Sequence, residues 1–140
     1  MTEQVTALFD TGLERYKAGE GPDTLIPLFK EICDRAPKMG PAWSCLAWLY
    51  TLDNQPTQAY KAAQKAIKLD AGDPQTQINL ALTMLETGQT GVRQHIQAAQ
   101  QMIALDTELR AQVEENIEEG LSRKPDWDSL KRVKNWLFPS

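Results

Sequence analysis

The chain has 140 residues, of which 41% are hydrophobic and 24% are charged, and its formal net charge is −4. This length suits one compact domain, and the composition is that of an ordinary globular protein. The negative balance gives no global positive field, so we expect no extended binding to nucleic acid. No apolar run approaches the roughly 20 residues of a membrane-spanning helix. The first residues do not resemble a signal peptide, so a reducing, cytoplasmic setting is expected.

Apolar residues recur at helical spacing along the chain, and turn signals containing Pro or Gly separate the apolar stretches. No stretch alternates apolar and polar residues long enough to predict a strand. Because Pro is tolerated at the first position of a helix, Gly40 and Asp73 are predicted as N-caps of helices that begin at Pro41 and Pro74. Eight helices are predicted, at 2–18, 23–35, 41–53, 56–70, 74–87, 91–105, 107–121 and 126–138.

Parts of the sequence repeat themselves. Gly-Pro-Ala-Trp at 40–43 corresponds to Asp-Pro-Gln-Thr at 73–76, which lies 33 residues further on (40 to 73). Ala-Ile-Lys-Leu-Asp at 66–70 corresponds to Met-Ile-Ala-Leu-Asp at 102–106, which lies 36 residues further on (66 to 102). Helix pairs repeated at a period of about 34 residues are typical of a helical solenoid. A single domain is therefore predicted, with repeats at approximately 2–37, 40–73 and 74–106 and a terminal cap at 107–138.

The second repeat resembles the tetratricopeptide repeat (TPR) family. Its first helix carries the large residues of the family pattern, and its second helix carries the small ones: Trp43, Leu46, Ala47 and Tyr50, then Ala59, Ala63 and Ala66. Ala47 replaces the usual Gly, and Ala71 stands where the family prefers Pro. The resemblance covers roughly residues 5–106 and implies an all-α, right-handed superhelical solenoid of antiparallel helix pairs, with about three repeats and C-terminal capping helices.

The family resemblance also implies a binding surface, because the first helices of TPR proteins line a concave groove. The groove positions carried over to this sequence are Phe9, Leu13, Tyr16, Cys45, Trp48, Ile78, Asn79, Leu82 and Leu85. Leu13, Trp48 and Leu82 occupy equivalent positions and predict a continuous apolar stripe. Such a stripe indicates a site for an amphipathic helix or an extended peptide. The alternative is that these residues belong to the core or are covered by the chain's own terminal helix.

One branch of the family clamps a C-terminal carboxylate with Lys, Asn and Arg side chains in this groove. The corresponding positions here are Phe9, Leu13, Cys45, Gln75 and Asn79, and of these only Asn79 agrees. A carboxylate clamp needs convergent cationic donors. We therefore do not expect that type of ligand.

The C-terminal segment predicts an amphipathic helix, because Trp127, Leu130, Val133 and Leu137 fall on one face. This helix is expected to dock on the repeats as the cap. The alternative is a basic, aromatic segment that contacts a membrane surface or an acidic partner. The preceding helix is rich in glutamate, which indicates a solvated face or a face that pairs with the basic side of the last helix.

The sequence offers little for catalysis. His95 is the only histidine, Cys33 and Cys45 are expected to be reduced and unpaired, and no metal-binding or nucleophile motif is present. We expect no enzyme activity, no cofactor and no metal. The predicted function is a protein–protein interaction module, meaning an adaptor, scaffold or assembly factor that holds a peptide or helix in the groove. The alternatives are self-association into a homo-oligomer and peripheral membrane contact through the last helix.

Overall fold

The computed structural model describes residues 2–139. Within that range the chain forms eight α-helices and no strand, so the predicted all-α fold is confirmed. No helix end differs from the predicted one by more than two residues. The helices are α1 (Thr2–Lys17), α2 (Pro22–Arg35), α3 (Gly40–Leu52), α4 (Pro56–Leu69), α5 (Pro74–Thr87), α6 (Val92–Ala104), α7 (Thr107–Arg123) and α8 (Asp128–Leu137).

Proline marks the beginning of four helices, because its fixed φ suits the first turn and its missing N–H would have no partner there. The cap residue of α5 is Asp73, as predicted, and its side chain accepts a hydrogen bond from the backbone N–H of Gln75 at 2.8 Å. The prolines in these first turns are Pro22, Pro41, Pro56 and Pro74.

Gly40 is not the N-cap of α3, and the prediction is wrong at this position. Met39 takes the N-cap position and Gly40 is the first helical residue. Gly40 lies against the end of α4, where a Cβ atom would come within 2.7 Å of the Cβ of Asp70. Glycine is therefore needed at this position for close helix approach, not for capping.

Consecutive helices pack against one another along the whole chain, and α3 also packs against α5 across the repeat boundary. Small side chains make this approach possible. Ala47, Ala59 and Ala66 are all 0–1% exposed between neighbouring helices. The result is a stack of helix pairs, in agreement with the architecture that the sequence predicts.

Two apolar clusters form the core. The first joins α1 to α4 and includes part of α5, whereas the second joins α5 to α8. In α8, Leu130, Val133 and Leu137 are 0–5% exposed, and the adjoining Trp127 is 1% exposed. These residues pack against α5, α6 and α7. The sequence left open the alternative that this apolar face contacts a membrane. In the structure the face is buried in the interior of the protein.

An ion pair joins the acidic face of α7 to the basic face of α8. Lys134 of α8 lies 2.6 Å from a carboxylate oxygen of Glu118 in α7. No helix in residues 2–139 combines the length and the apolar content needed to cross a membrane.

Candidate functional site

The inner side of the helix stack contains a cavity of about 410 Å³, which we call the concave pocket. Side chains of α1, α2, α3, α5 and α7 surround it. Its apolar lining is formed by Leu13, Phe29, Cys45, Trp48 and Leu49. The remaining lining residues are mostly polar or charged, namely Tyr16, Lys17, Pro41, Ser44, Asp73, Gln75, Asn79, Glu115, Asn116 and Glu119.

Trp48 is fixed at the centre of this lining. Its ring packs on that of Trp127, with centroids 5.1 Å apart and planes inclined by 52°. Gly120 of α7 lies against the same ring, where an added Cβ would be 2.7 Å from Cζ2. The indole N–H donates to the hydroxyl of Tyr16 at 2.8 Å. Trp48 is nevertheless only half-buried, so part of its surface remains available to the pocket.

Helix α7 closes the pocket on two sides. On one side, Asn116 donates its amide N–H to the side-chain oxygen of Gln75 in α5 at 3.0 Å. On the other side, the Tyr16 hydroxyl donates to the carboxylate of Glu119. Glu119 also pairs with Arg123, whose guanidinium lies over the Tyr16 ring. Helix α7 therefore extends from α5 to α1 across the concave side of the repeats.

Two titratable groups of the pocket are held in their neutral forms. Burial, together with the hydrogen bond to Glu119, raises the pKa of the Tyr16 hydroxyl. Burial also raises the pKa of the Cys45 thiol to about 12. At neutral pH Cys45 is therefore a protonated, weakly polar side chain, and it contributes to the apolar lining.

Five of the nine residues predicted for the groove do line the concave pocket: Leu13, Tyr16, Cys45, Trp48 and Asn79. The remaining four, Phe9, Ile78, Leu82 and Leu85, lie elsewhere. Phe9 packs edge-on against Phe29, with ring centroids 5.9 Å apart, and is a partly buried residue against the first core cluster. Leu85 is half-buried against the second cluster.

The expected stripe of Leu13, Trp48 and Leu82 is wrong at Leu82. Leu82 is 1% exposed and Ile78 is 0% exposed, and both lie in the second core cluster with residues of α7 and α8. The terminal helix pair packs on α5 and covers the inner face of the third repeat. In the third repeat, the chain's own terminal helices therefore cover the predicted groove residues, which was the alternative interpretation. In the first two repeats, Leu13 and Trp48 remain beside an open cavity.

Asn79 lies at the edge of the pocket but is 3% exposed. Its amide N–H group donates to the backbone oxygen of Ser44 at 3.1 Å and to the Ser44 hydroxyl at 2.9 Å. Its side-chain oxygen accepts from Gln75 at 2.9 Å. Asn79 therefore joins α5 to α3, and its polar groups are already satisfied within the protein.

The sequence did not identify Phe29, Glu115 and Glu119 as pocket residues. Phe29 belongs to the second helix of its repeat, whereas the family resemblance assigns groove positions to first helices. In the sequence the two glutamates belong to the glutamate-rich helix, which indicates only an acidic face. Their place at the pocket depends on how residues 107–123 fold back over the repeats, which no local pattern predicts.

The histidine and the cysteines have structural surroundings. His95 is half-buried with Nδ1 2.8 Å from the side-chain oxygen of Gln77, and burial lowers its pKa. Cys33 and Cys45 are both free thiols. In the described part of the chain, no group of three or more His, Cys, Asp or Glu residues is arranged to hold a metal ion.

No protein-family model matches the chain, and no curated protein matches its sequence. Solved structures do match its fold. The type III secretion translocator chaperone SycD of Yersinia enterocolitica, crystallised as an alternative dimer, matches with a TM-score of 0.67 and 15% identity. That alignment covers 87% of this chain and 92% of SycD. A T3SS complex from Aeromonas hydrophila matches with a TM-score of 0.68 and 19% identity, over 96% of this chain and 85% of that one.

The chain therefore has a TPR-like, all-helical fold that is similar to the folds of these two structures. At 15% and 19% identity the likeness concerns the fold alone.

Proposed function

We propose that this chain is a TPR-type binding module that holds a segment of another protein in the concave pocket. The observation that supports this most directly is the half-exposed apolar lining formed by Leu13, Cys45 and Trp48 beside a cavity of about 410 Å³. Binding pockets commonly have volumes of about 300–1,000 Å³ and combine apolar walls with a few polar groups. The fold is similar to that of a translocator chaperone, and this likeness of fold is compatible with a chaperone or assembly role for the chain.

The expected ligand is a segment with at least one large apolar anchor. Trp48 is already held by Trp127, Gly120 and Tyr16, so little side-chain entropy is lost when a ligand packs against it. Glu119 is already paired with Arg123, but Asp73 and Glu115 also line the pocket, against a single lysine, Lys17. A cation next to the apolar anchor would therefore be favoured, and a carboxylate would be disfavoured.

Site-specific crosslinking identifies the ligand and tests the pocket. A photoreactive amino acid is placed at position 13, and for comparison at position 97 on the exposed side of α6. We expect position 13 to capture a protein from native extract that position 97 does not capture. The captured segment is then synthesised, and its affinity for the purified chain is measured by fluorescence polarisation.

The decisive variant is Leu13→Glu, with Leu105→Glu as its matched control. Leu105 is 90% exposed and does not line the pocket. A carboxylate at position 13 should weaken binding by about tenfold or more, because it replaces apolar contact with a charge in a partly dry site. Equal affinity of the two folded variants for the captured segment would contradict the proposal.

Self-association is a second candidate function, and the exposed apolar side chains favour it. Leu105 is 90% exposed, Leu69 is 43% exposed and Trp136 is 39% exposed. The matching SycD structure is itself a dimer. Light scattering over a range of concentrations measures the mass of the particle. Leu105→Glu should shift a dimer towards monomer, whereas a monomeric mass for the unmodified chain would remove this candidate.

A further inference from the structure

A second cavity, of about 440 Å³, lies between α2, α3 and α4, and we call it the lysine cavity. The lysine cavity and the concave pocket lie on opposite faces of α3. Trp43, Leu46 and Tyr50 of α3 line the lysine cavity, whereas Ser44, Cys45 and Trp48 line the concave pocket. Successive residues of a helix are rotated by about 100°, which places these two sets on opposite sides. The two cavities can therefore be altered independently.

Four lysines and one aspartate line this cavity, in a protein whose formal net charge is −4. The lysines are Lys30 of α2 and Lys61, Lys65 and Lys68 of α4, and the aspartate is Asp34. Across residues 2–139, no ion pair involves any of these lysines. Of the other cations in this range, five pair with glutamate and six are in no ion pair either. What distinguishes the lysine cavity is that four cations line it together with a single carboxylate.

The spacing of these cations indicates how the negative charges of a suitable ligand would be arranged. Lys61, Lys65 and Lys68 follow one face of α4 at positions i, i+4 and i+7, and their Cα atoms cover about 10 Å along the helix. A single phosphate needs donors that converge on one point. A row of ammonium groups instead suits several negative charges distributed along a chain.

The cavity is also partly apolar. Cys33, Leu46, Tyr50 and Ala62 are 1–9% exposed at its base. Trp43 is half-buried at its wall, and the ammonium of Lys65 lies 4.3 Å from the Trp43 ring centroid. A ligand that fills this space would bring apolar side chains together with its charges. An acidic stretch of protein with interleaved apolar residues has both properties.

We infer that the lysine cavity is a second docking site, and that its occupant is an acidic, partly apolar segment of a protein partner. The inference does not depend on what the concave pocket binds. Single-stranded nucleic acid is also a polyanion, but it binds largely by stacking its bases on open aromatic faces. Here the Lys65 ammonium covers one face of the Trp43 ring, and Tyr50 is only 9% exposed. The four lysines above a buried apolar base therefore favour an acidic protein segment with apolar side chains.

The test uses a labelled 12-residue peptide that alternates glutamate and leucine, and a second peptide with lysine in place of every glutamate. Fluorescence polarisation measures their affinities for the full chain. The acidic peptide should bind more tightly than the basic one, and its affinity should fall as salt is added. Lys61→Glu combined with Lys68→Glu should weaken binding by roughly tenfold, because two attractive charges become repulsive.

The matched control is Arg93→Glu combined with Lys131→Glu, which changes the net charge equally at exposed positions outside the cavity. This control, and Leu13→Glu in the concave pocket, should leave the affinity within about twofold of the unmodified chain. Equal losses in the cavity variant and the charge-matched control would overturn the inference. Tighter binding of the basic peptide would overturn it too. So would a single-stranded oligonucleotide that binds more tightly than the acidic peptide and loses affinity in the cavity variant.

Discussion

Arg123 lies over the ring of Tyr16, with its guanidinium carbon 3.9 Å from the ring centroid, although the two residues are 107 positions apart in the sequence. The same guanidinium donates to the backbone oxygen of Tyr16 and to that of Glu20, the latter at 2.8 Å. It also pairs with Glu119. A cation at the C-terminal end of α1 is favoured by the helix dipole. This group of contacts closes the helix stack across the concave pocket.

Replacement of Arg123 by alanine should destabilise the protein. The side chain is only 16% exposed, and its removal leaves Glu119 without its ion pair. Loss of charge-assisted hydrogen bonds and of the ring contact predicts a decrease in the free energy of unfolding of about 2–3 kcal/mol. Urea denaturation measures this change. Hydrogen exchange should also become faster at the C-terminal ends of α1 and α7.

Arg35→Ala is the control for this prediction. Arg35 forms an ion pair with Glu31 one helical turn away, but its side chain is 46% exposed. An exposed pair of this kind contributes about 0–1 kcal/mol. If the two variants lost the same stability, the contacts of Arg123 would be no more than an ordinary surface ion pair.

The Tyr16 hydroxyl should make stability depend on alkaline pH. Burial and the hydrogen bond to Glu119 raise its pKa above the ordinary value of 10.0. The neutral hydroxyl therefore contributes stability that is fully present below about pH 10 and is lost as the pH rises further. The difference in free energy of unfolding between the unmodified chain and Tyr16→Phe should narrow by up to roughly 1.4 kcal/mol per pH unit in that range. Urea denaturation from neutral to alkaline pH measures it, and a difference independent of pH would contradict the assignment.

The helices could be predicted closely because their signals are local. Proline in the first turn and apolar residues at helical spacing fix where a helix begins and which face it buries. Trp127, Leu130 and Val133 illustrate this, since their spacing alone predicts the shared face that the structure buries. Local signals do not indicate the concave pocket, for which Leu13 and Trp48 follow from the resemblance to the TPR family.

The errors arose where one repeat is covered by a distant part of the chain. Leu82 occupies the position of Leu13 and Trp48 in the third repeat, so the repeat pattern treats all three alike. Only the third repeat is followed by the terminal pair α7–α8, which packs on α5 and buries Leu82. Repeat periodicity describes the relation of neighbouring repeats and contains no information on how the ends of the array are covered. For the same reason the contact of Arg123 with Tyr16 could not be predicted.

Gly120 should be the position in α7 that is least tolerant of a larger side chain. An alanine Cβ there would lie 2.7 Å from Cζ2 of Trp48 and 2.9 Å from Cδ2 of Leu130. Both neighbours are parts of packed interfaces, so Gly120→Ala should reduce the free energy of unfolding by about 1–3 kcal/mol. It should also weaken binding in the concave pocket, because α7 and Trp48 both form that pocket. Gly72→Ala is the control, since no atom lies within 4 Å of the added Cβ. Urea denaturation that showed equal stability for the two variants would contradict the close packing of α7 on Trp48.

Cys45 offers a direct measurement of access to the concave pocket. Burial raises the pKa of Cys45 and of Cys33 to about 12, so little reactive thiolate is present near pH 8. Labelling of the native chain by a thiol reagent should be at least about tenfold slower than labelling of the unfolded chain. The labelling rate of the native chain should also keep increasing with pH after the labelling rate of an unperturbed cysteine has reached its plateau.

The two thiols should nevertheless differ, because Cys45 is half-buried beside the pocket, whereas Cys33 is 1% exposed at the base of the lysine cavity. We expect Cys45 to react first, as measured with Cys33→Ser and Cys45→Ser variants. A segment captured at position 13 should slow Cys45 further when it is bound and leave Cys33 unchanged. If Cys33 reacted first, or if the bound segment left the rate of Cys45 unaltered, the ligand would not lie against the apolar lining that Cys45 shares with Trp48.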